Sequence, residues 1–122
     1  MDAPEGKVLL VTCADSPGLD GCRAALGTDQ VIVAGDAQVD LGAMRDALVE
    51  RGFRNLLSEG GPHLLRDLLD AGAADELCLT WVPRVIGGVH PRILEGAAVD
   101  VPMRLALLME EHGTLIGRWI VA

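Results

Sequence analysis

Aromatic side chains are nearly missing from this sequence, which has one Phe, two Trp and no Tyr among 122 residues. Single-stranded nucleic acid is held by stacking its bases on such rings, and duplexes by Lys and Arg set against phosphates. Basic residues are also short: 10 Lys and Arg stand against 18 Asp and Glu, for a formal net charge of −8. A nucleic-acid partner is therefore not expected. A small anionic ligand is still allowed, because it responds to nearby backbone amides and helix ends more than to distant, screened charge. Long apolar runs are missing as well. None approaches the ~20 residues that cross a bilayer, so no membrane partner is expected.

The first residues, Met1-Asp2-Ala3-Pro4-Glu5-Gly6, are acidic where a signal peptide is basic. Residues 1–6 are expected to be disordered or vector-derived, and the protein to be cytoplasmic. Paired cysteines are absent too: Cys13, Cys22 and Cys78 form no C-x-x-C, which suits free thiols in a reducing compartment. Cys78, inside an apolar run, reads as a small buried hydrophobe. His63, His90 and His112 are scattered without zinc-ligand spacing, so no metal is expected.

What is present is a chain that is 50% hydrophobic and 23% charged, the balance of a single folded domain over residues 1–122. Lys7 to Thr12 and Gln30 to Ala34 are short β-branched runs that read as buried strands. A turn from Asp15 to Gly21 leads into a brief helical piece around Cys22 to Leu26. Asp40 stands as N-cap before Leu41, Met44 and Leu48, the apolar face of a helix that Gly52 ends. Asn55 to Ser58 reads as a third strand, and Pro62 to Ala71 as a helix closed by Gly72. After Gly72 the pattern changes. Glu76 to Val82, Arg104 to Glu110 and Leu115 to Val121 read as strands, the last two joined by a hairpin through Glu111-His112-Gly113-Thr114. Pro83 to Pro91 reads as a Gly/Pro-rich loop. The fold class is α/β: a mostly parallel sheet flanked by helices, finished by antiparallel C-terminal strands.

The segment richest in chemistry is Leu56-Leu57-Ser58-Glu59-Gly60-Gly61-Pro62-His63-Leu64-Leu65. Two glycines turn the chain, and proline takes the first helical position, where its fixed φ fits and its missing N–H costs nothing. Glycines admit a ligand close to the backbone, and the first helical turn offers free amides with partial positive charge, which together suit a phosphate. A tight turn with no ligand explains the same glycines. Glu59 can cap the helix, orient a ligand hydroxyl, or simply be solvated. No G-x-S-x-G elbow or P-loop lysine is present.

Leu57-Ser58-Glu59-Gly60-Gly61-Pro62, the leucine-rich helix ending Ala71-Gly72, Asp75-Glu76-Leu77, Pro83 and Ile86-Gly87-Gly88 occur in a fixed order. With Leu10-Val11-Thr12 and Val39-Asp40-Leu41 upstream, this series resembles the C-terminal half of the riboflavin-pathway pyrimidine reductase domain, a dihydrofolate-reductase-like family. The resemblance covers roughly Lys7 to Val121. It implies an NADPH-dependent oxidoreductase with a small-molecule pyrimidine substrate, 5-amino-6-(5-phosphoribosylamino)uracil, reduced to its ribitylamino product. Carried over, Gly60, Gly61 and Pro62 line the cofactor pyrophosphate beside Glu59, His63 and Leu64, and Thr12 and Gly35 lie towards the adenosine. Thr12, Ser16 and Arg23 are the donors available to a 2′-phosphate. The resemblance identifies no catalytic acid or base.

The family's N-terminal half, with a Ser-Leu-Asp-Gly-type segment and most substrate contacts, has no match here. Several strands are thus expected to lack neighbours, exposing Val8, Leu10, Ile32, Val33, Leu56 and Leu57. A homodimer or higher oligomer is expected, with the strands from Arg104 to Val121 or the uncovered edges supplying the contact. Two alternatives stay open: an inactive nucleotide-binding or assembly module, and a related reductase with another substrate, such as a folate.

Overall fold

The computed structural model describes residues 8–122, which fall in two compact units, one reaching to Leu56 and one running from Leu57 to Ala122. The first holds β1 (Leu10–Thr12), α1 (Leu19–Leu26), a 3-10 turn (Thr28–Gln30), β2 (Val31–Val33) and α2 (Leu41–Glu50). Lys7, where the first strand was expected to begin, lies outside the described residues.

β1 and β2 pair in parallel, Leu10 opposite Val31 and Thr12 opposite Val33. Burial is deepest in β2 and the residue after it: Val31, Ile32 and Ala34 are 7%, 5% and 3% exposed. Ile32 is therefore buried rather than exposed as expected, whereas Val8 and Val33 are exposed. Pairing continues past the strands, with Ala34 N donating to Thr12 O, Ala14 N to Gly35 O and Asp15 N to Asp36 O, at 2.8, 3.0 and 2.9 Å. The chain then folds back on itself at Gly35, whose φ is +87°. A Cβ there would overlap the Gln38 carbonyl oxygen, so only glycine fits this turn. Asp40 caps α2 as the sequence implies, its Oδ1 accepting from Ala43 N at 2.9 Å. Gly52 follows the helix in the left-handed region at φ +92°.

The second unit holds α3 (Pro62–Asp70), β3 (Glu76–Trp81), β4 (Met103–Glu111) and β5 (Thr114–Val121). Its strands form an antiparallel sheet in the order β3-β5-β4. The β4–β5 turn is set by His112 and Gly113, both left-handed at φ +51° and +80°. Two such residues make a turn whose twist matches the strands it joins. Gly113 N also donates to Glu110 Oε1 at 2.6 Å. A bulge between Leu105 and Leu107 interrupts β4. On β5, Gly117 is buried because the Trp119 indole lies over it: any Cβ at Gly117 would overlap that ring. The indole meets Trp81 edge-to-face at 5.1 Å and 78°. The two tryptophans, with Leu77, Leu79, Val101 and Met103, line an open cavity of about 400 Å³.

The architecture is thus mixed α/β, with a parallel pair, an antiparallel sheet and three helices. Two further local expectations are corrected. Asn55 to Ser58 forms no strand, and Leu56 and Leu57 are 49% and 84% exposed. An extended segment becomes a strand only when a neighbour accepts its backbone bonds, and no described strand pairs with it. Cys78 is exposed rather than buried. Alternation along β3 puts it on the face of Glu76 and Thr80, opposite Leu77 and Leu79.

Candidate functional site

The turn from Glu59 to Pro62 leads into α3, and its geometry follows from its residue types. Gly61 is the N-cap, extended at φ −70° and ψ −178°, and no side chain caps the helix. The capping role open to Glu59 is therefore not taken, and Glu59 lies exposed in the loop. The first bond into the helix runs from Leu65 N to Gly61 O at 3.1 Å. The amides of Gly61, His63 and Leu64 consequently have no partner within the helix, while Pro62 has no N–H to leave unpaired. No acidic residue stands in the first turn to oppose an anion.

The two glycines differ in what they permit. A Cβ on Gly60 would overlap the Leu64 side chain, so Gly60 is there for the packing of α3 onto its own turn. A Cβ on Gly61 would meet nothing within 4 Å. Space beside Gly61 is open, and open space next to free amides is what a phosphate group needs. Behind the turn, Leu68 and Leu69 are buried at 8% and 6% exposure and anchor the helix. Leu64, one turn nearer the helix start, is 40% exposed.

The structure thus brings Glu59, Gly60, Gly61, Pro62, His63 and Leu64 together in one turn of the second unit. Thr12 ends β1 in the first unit, its carbonyl accepting from Ala34 N, and Gly35 follows β2, its carbonyl accepting from Ala14 N. Gly35 is explained by its backbone alone, and Thr12 is half-buried in the parallel pair. Of the 2′-phosphate donors, Arg23 faces Asp20 at 3.8 Å across one turn of α1. Among the described residues, no group of three or more His, Cys, Asp or Glu could hold a metal ion. Nor is any described helix long and apolar enough to cross a membrane.

One set of contacts had no sequence signal beyond a glycine in a loop. The stretch Glu95-Gly96-Ala97 crosses the first turns of α3. Glu95 N donates to Pro62 O at 3.4 Å, and Arg66 Nε donates to Ala97 O at 3.3 Å. The Glu95 carboxylate lies 3.6 Å from His63 Nε2. Gly96, at φ +112°, passes between the two side chains: its missing Cβ would lie 3.5 Å from Arg66 Nε and 3.6 Å from His63 Nδ1.

A pyrimidine reductase-like protein from Corynebacterium diphtheriae shares the fold, with a TM-score of 0.74 and 25% identity over 93% of this chain and 50% of that one. The 2,5-diamino-6-ribosylamino-4(3H)-pyrimidinone 5′-phosphate reductase of Methanothermobacter thermautotrophicus is 35% identical over 72 residues, 58% of this chain. The enzyme of the same name from Archaeoglobus fulgidus is 36% identical over 68 residues, 55% of this chain. The matched stretches span 33% and 31% of those two reductases, so the correspondence is with a part of each. The model of the RibD C-terminal domain matches residues 4–120, across both units, and the chain belongs to that family.

Proposed function

We propose that this chain is the dinucleotide-holding part of an NADPH-dependent reductase of riboflavin biosynthesis. The observation that carries the reading is the start of α3, with no side-chain cap and no acidic residue in its own first turn, beside the open space at Gly61, in a chain whose curated relatives are reductases. The pyrophosphate falls to the amides of Gly61, His63 and Leu64. Thr12 and Gly35 are the adenosine-side candidates. When bound, the cofactor supplies a hydride to C1′ of an opened ribose, and the residues of this chain bind and orient it.

The substrate is a pyrimidine carrying a phosphoribosylamino arm. The uracil form, 5-amino-6-(5-phosphoribosylamino)uracil, is one candidate. The relatives' name favours a second, the 2,5-diamino-pyrimidinone form, which differs at ring position 2 while the arm to be reduced is the same. In either case the protein works in the cytoplasm as a homodimer or higher oligomer. Exposed Leu105, Leu107, Leu108 and Met109 on β4, an edge strand, favour assembly, because long apolar edges seldom stay uncovered.

NADPH titration followed by cofactor fluorescence, then turnover with each of the two pyrimidines, tests the function. Binding is expected from this chain. Turnover is expected only when the remainder of a relative's length is supplied, since hydride transfer needs reacting atoms held about 3–3.5 Å apart. An absence of NADPH binding would remove the reading. Light scattering coupled to size exclusion tests the assembly, and a folded monomer that ignores apolar dyes would refute it.

A further inference from the structure

The 82–102 segment joins β3 to β4 without helix or strand. A connection of this length inside a compact unit generally has work to do. From 82 to 94 it holds no Asp or Glu but carries Arg84, His90 and Arg92, and Val85, Ile86 and Val89 stand out from the surface. Its first carboxylate is Glu95, where the segment crosses the start of α3. Backbone, Arg66 and His63 all contact the chain between Glu95 and Ala97.

We propose that Glu95 is an exchangeable counter-charge at the anion site: His63 pairs with Glu95 when no ligand is present and turns to the ligand's phosphate when one binds. The proposal rests on the phosphate reading of the Gly60-Gly61 turn. His63 is the second residue of α3, so its side chain starts beside the free amides of that turn. The His63 and Glu95 side chains are 72% and 39% exposed. A contact that open is worth at most about a two- to fivefold bias, easily surrendered. A pyrophosphate carries more charge and takes several amide donors at once, and hydrogen bonds to a charged acceptor are the stronger kind. Glu95 therefore works against the ligand, both by repelling it and by occupying the imidazole.

Linkage makes the relation reciprocal. Whatever factor Glu95 costs the ligand, the ligand must cost the Glu95 contact. Binding at the glycine turn thus loosens one of the attachments that hold the 82–102 segment, and the segment reports whether the site is filled.

The test uses the wild-type chain, Glu95→Gln, His63→Gln and the double variant, with inorganic pyrophosphate and NADPH as probes. Calorimetry gives affinity, and the rate of trypsin cleavage after Arg92 reports the attachment of the segment. Glu95→Gln is expected to bind pyrophosphate about two- to fivefold more tightly, a gain that fades in high salt. In the His63→Gln background the Glu95 effect should shrink, the coupling expected of a shared contact. Saturating pyrophosphate should speed cleavage of the wild type by a comparable factor and leave Glu95→Gln unchanged. If the wild type binds pyrophosphate while Glu95→Gln binds it equally or less tightly, the counter-charge proposal is overturned and the phosphate site stands. If the wild type binds neither probe, both fall.

Discussion

Replacing Gly61 with valine should separate binding from folding at the glycine turn. The backbone there is extended, a conformation any residue adopts, and a Cβ meets nothing within 4 Å. Fold stability should fall by less than about 1 kcal/mol, the difference between glycine and a β-branched residue at an N-cap. The melting temperature should drop by a few degrees at most. The new side chain would instead occupy the space in front of the amides. Losing one hydrogen bond from an amide to a charged phosphate costs about 1.5–3 kcal/mol, so NADPH binding should weaken roughly 10- to 150-fold. Gly60→Val is the matching control. Its side chain would drive into Leu64 and cost about 1–3 kcal/mol of stability through overpacking. Thermal melts and NADPH fluorescence titrations of the two variants should therefore give opposite patterns. A folded Gly61→Val protein with wild-type affinity for NADPH would refute the placement of the pyrophosphate at this turn.

Two further substitutions probe the scaffold. Asp40→Ala removes the carboxylate that accepts from Ala43 N and should lower stability by about 1 kcal/mol, read as a shift in the urea midpoint at constant slope; an unchanged midpoint would show the cap to be idle. Gly117→Val collides with the Trp119 indole and should cost roughly 2–4 kcal/mol, measured by the same unfolding curves; full stability would mean that the ring has another place to go.

The elements legible in the sequence were those specified by their own residues. Asp40 and Gly52 bracket α2, Pro62 and Gly72 bracket α3, and His112-Gly113 turns the hairpin, each for a reason contained within a few residues. Asn55 to Ser58 failed because a strand also requires a neighbour, and its apolar character says nothing about whether one is present. Cys78 failed because a run of apolar letters hides which face each residue occupies until the register with β5 is known. At the candidate site the glycine pair was readable, but the division of labour within it was not. Gly60 answers to Leu64 and Gly61 to open space, and Gly35 answers to the Gln38 carbonyl. Glu95 was out of reach altogether, since it meets His63 across 32 residues of chain, a contact that only the fold creates.

The stacking of Trp119 on Gly117 and its edge-to-face contact with Trp81 also have an optical consequence. These are the only tryptophans in the chain, and both lie in the second unit. Intrinsic fluorescence excited at the indole band therefore reports on the β3-β5-β4 sheet alone, and the first unit contributes nothing to it. An unfolding curve followed by tryptophan emission would miss any separate melting of the β1–β2 pair. Far-ultraviolet dichroism, which sees α1 and α2, would register it. If the two transitions coincide, the units unfold together; if they separate, the gap measures how independently the first unit holds its structure.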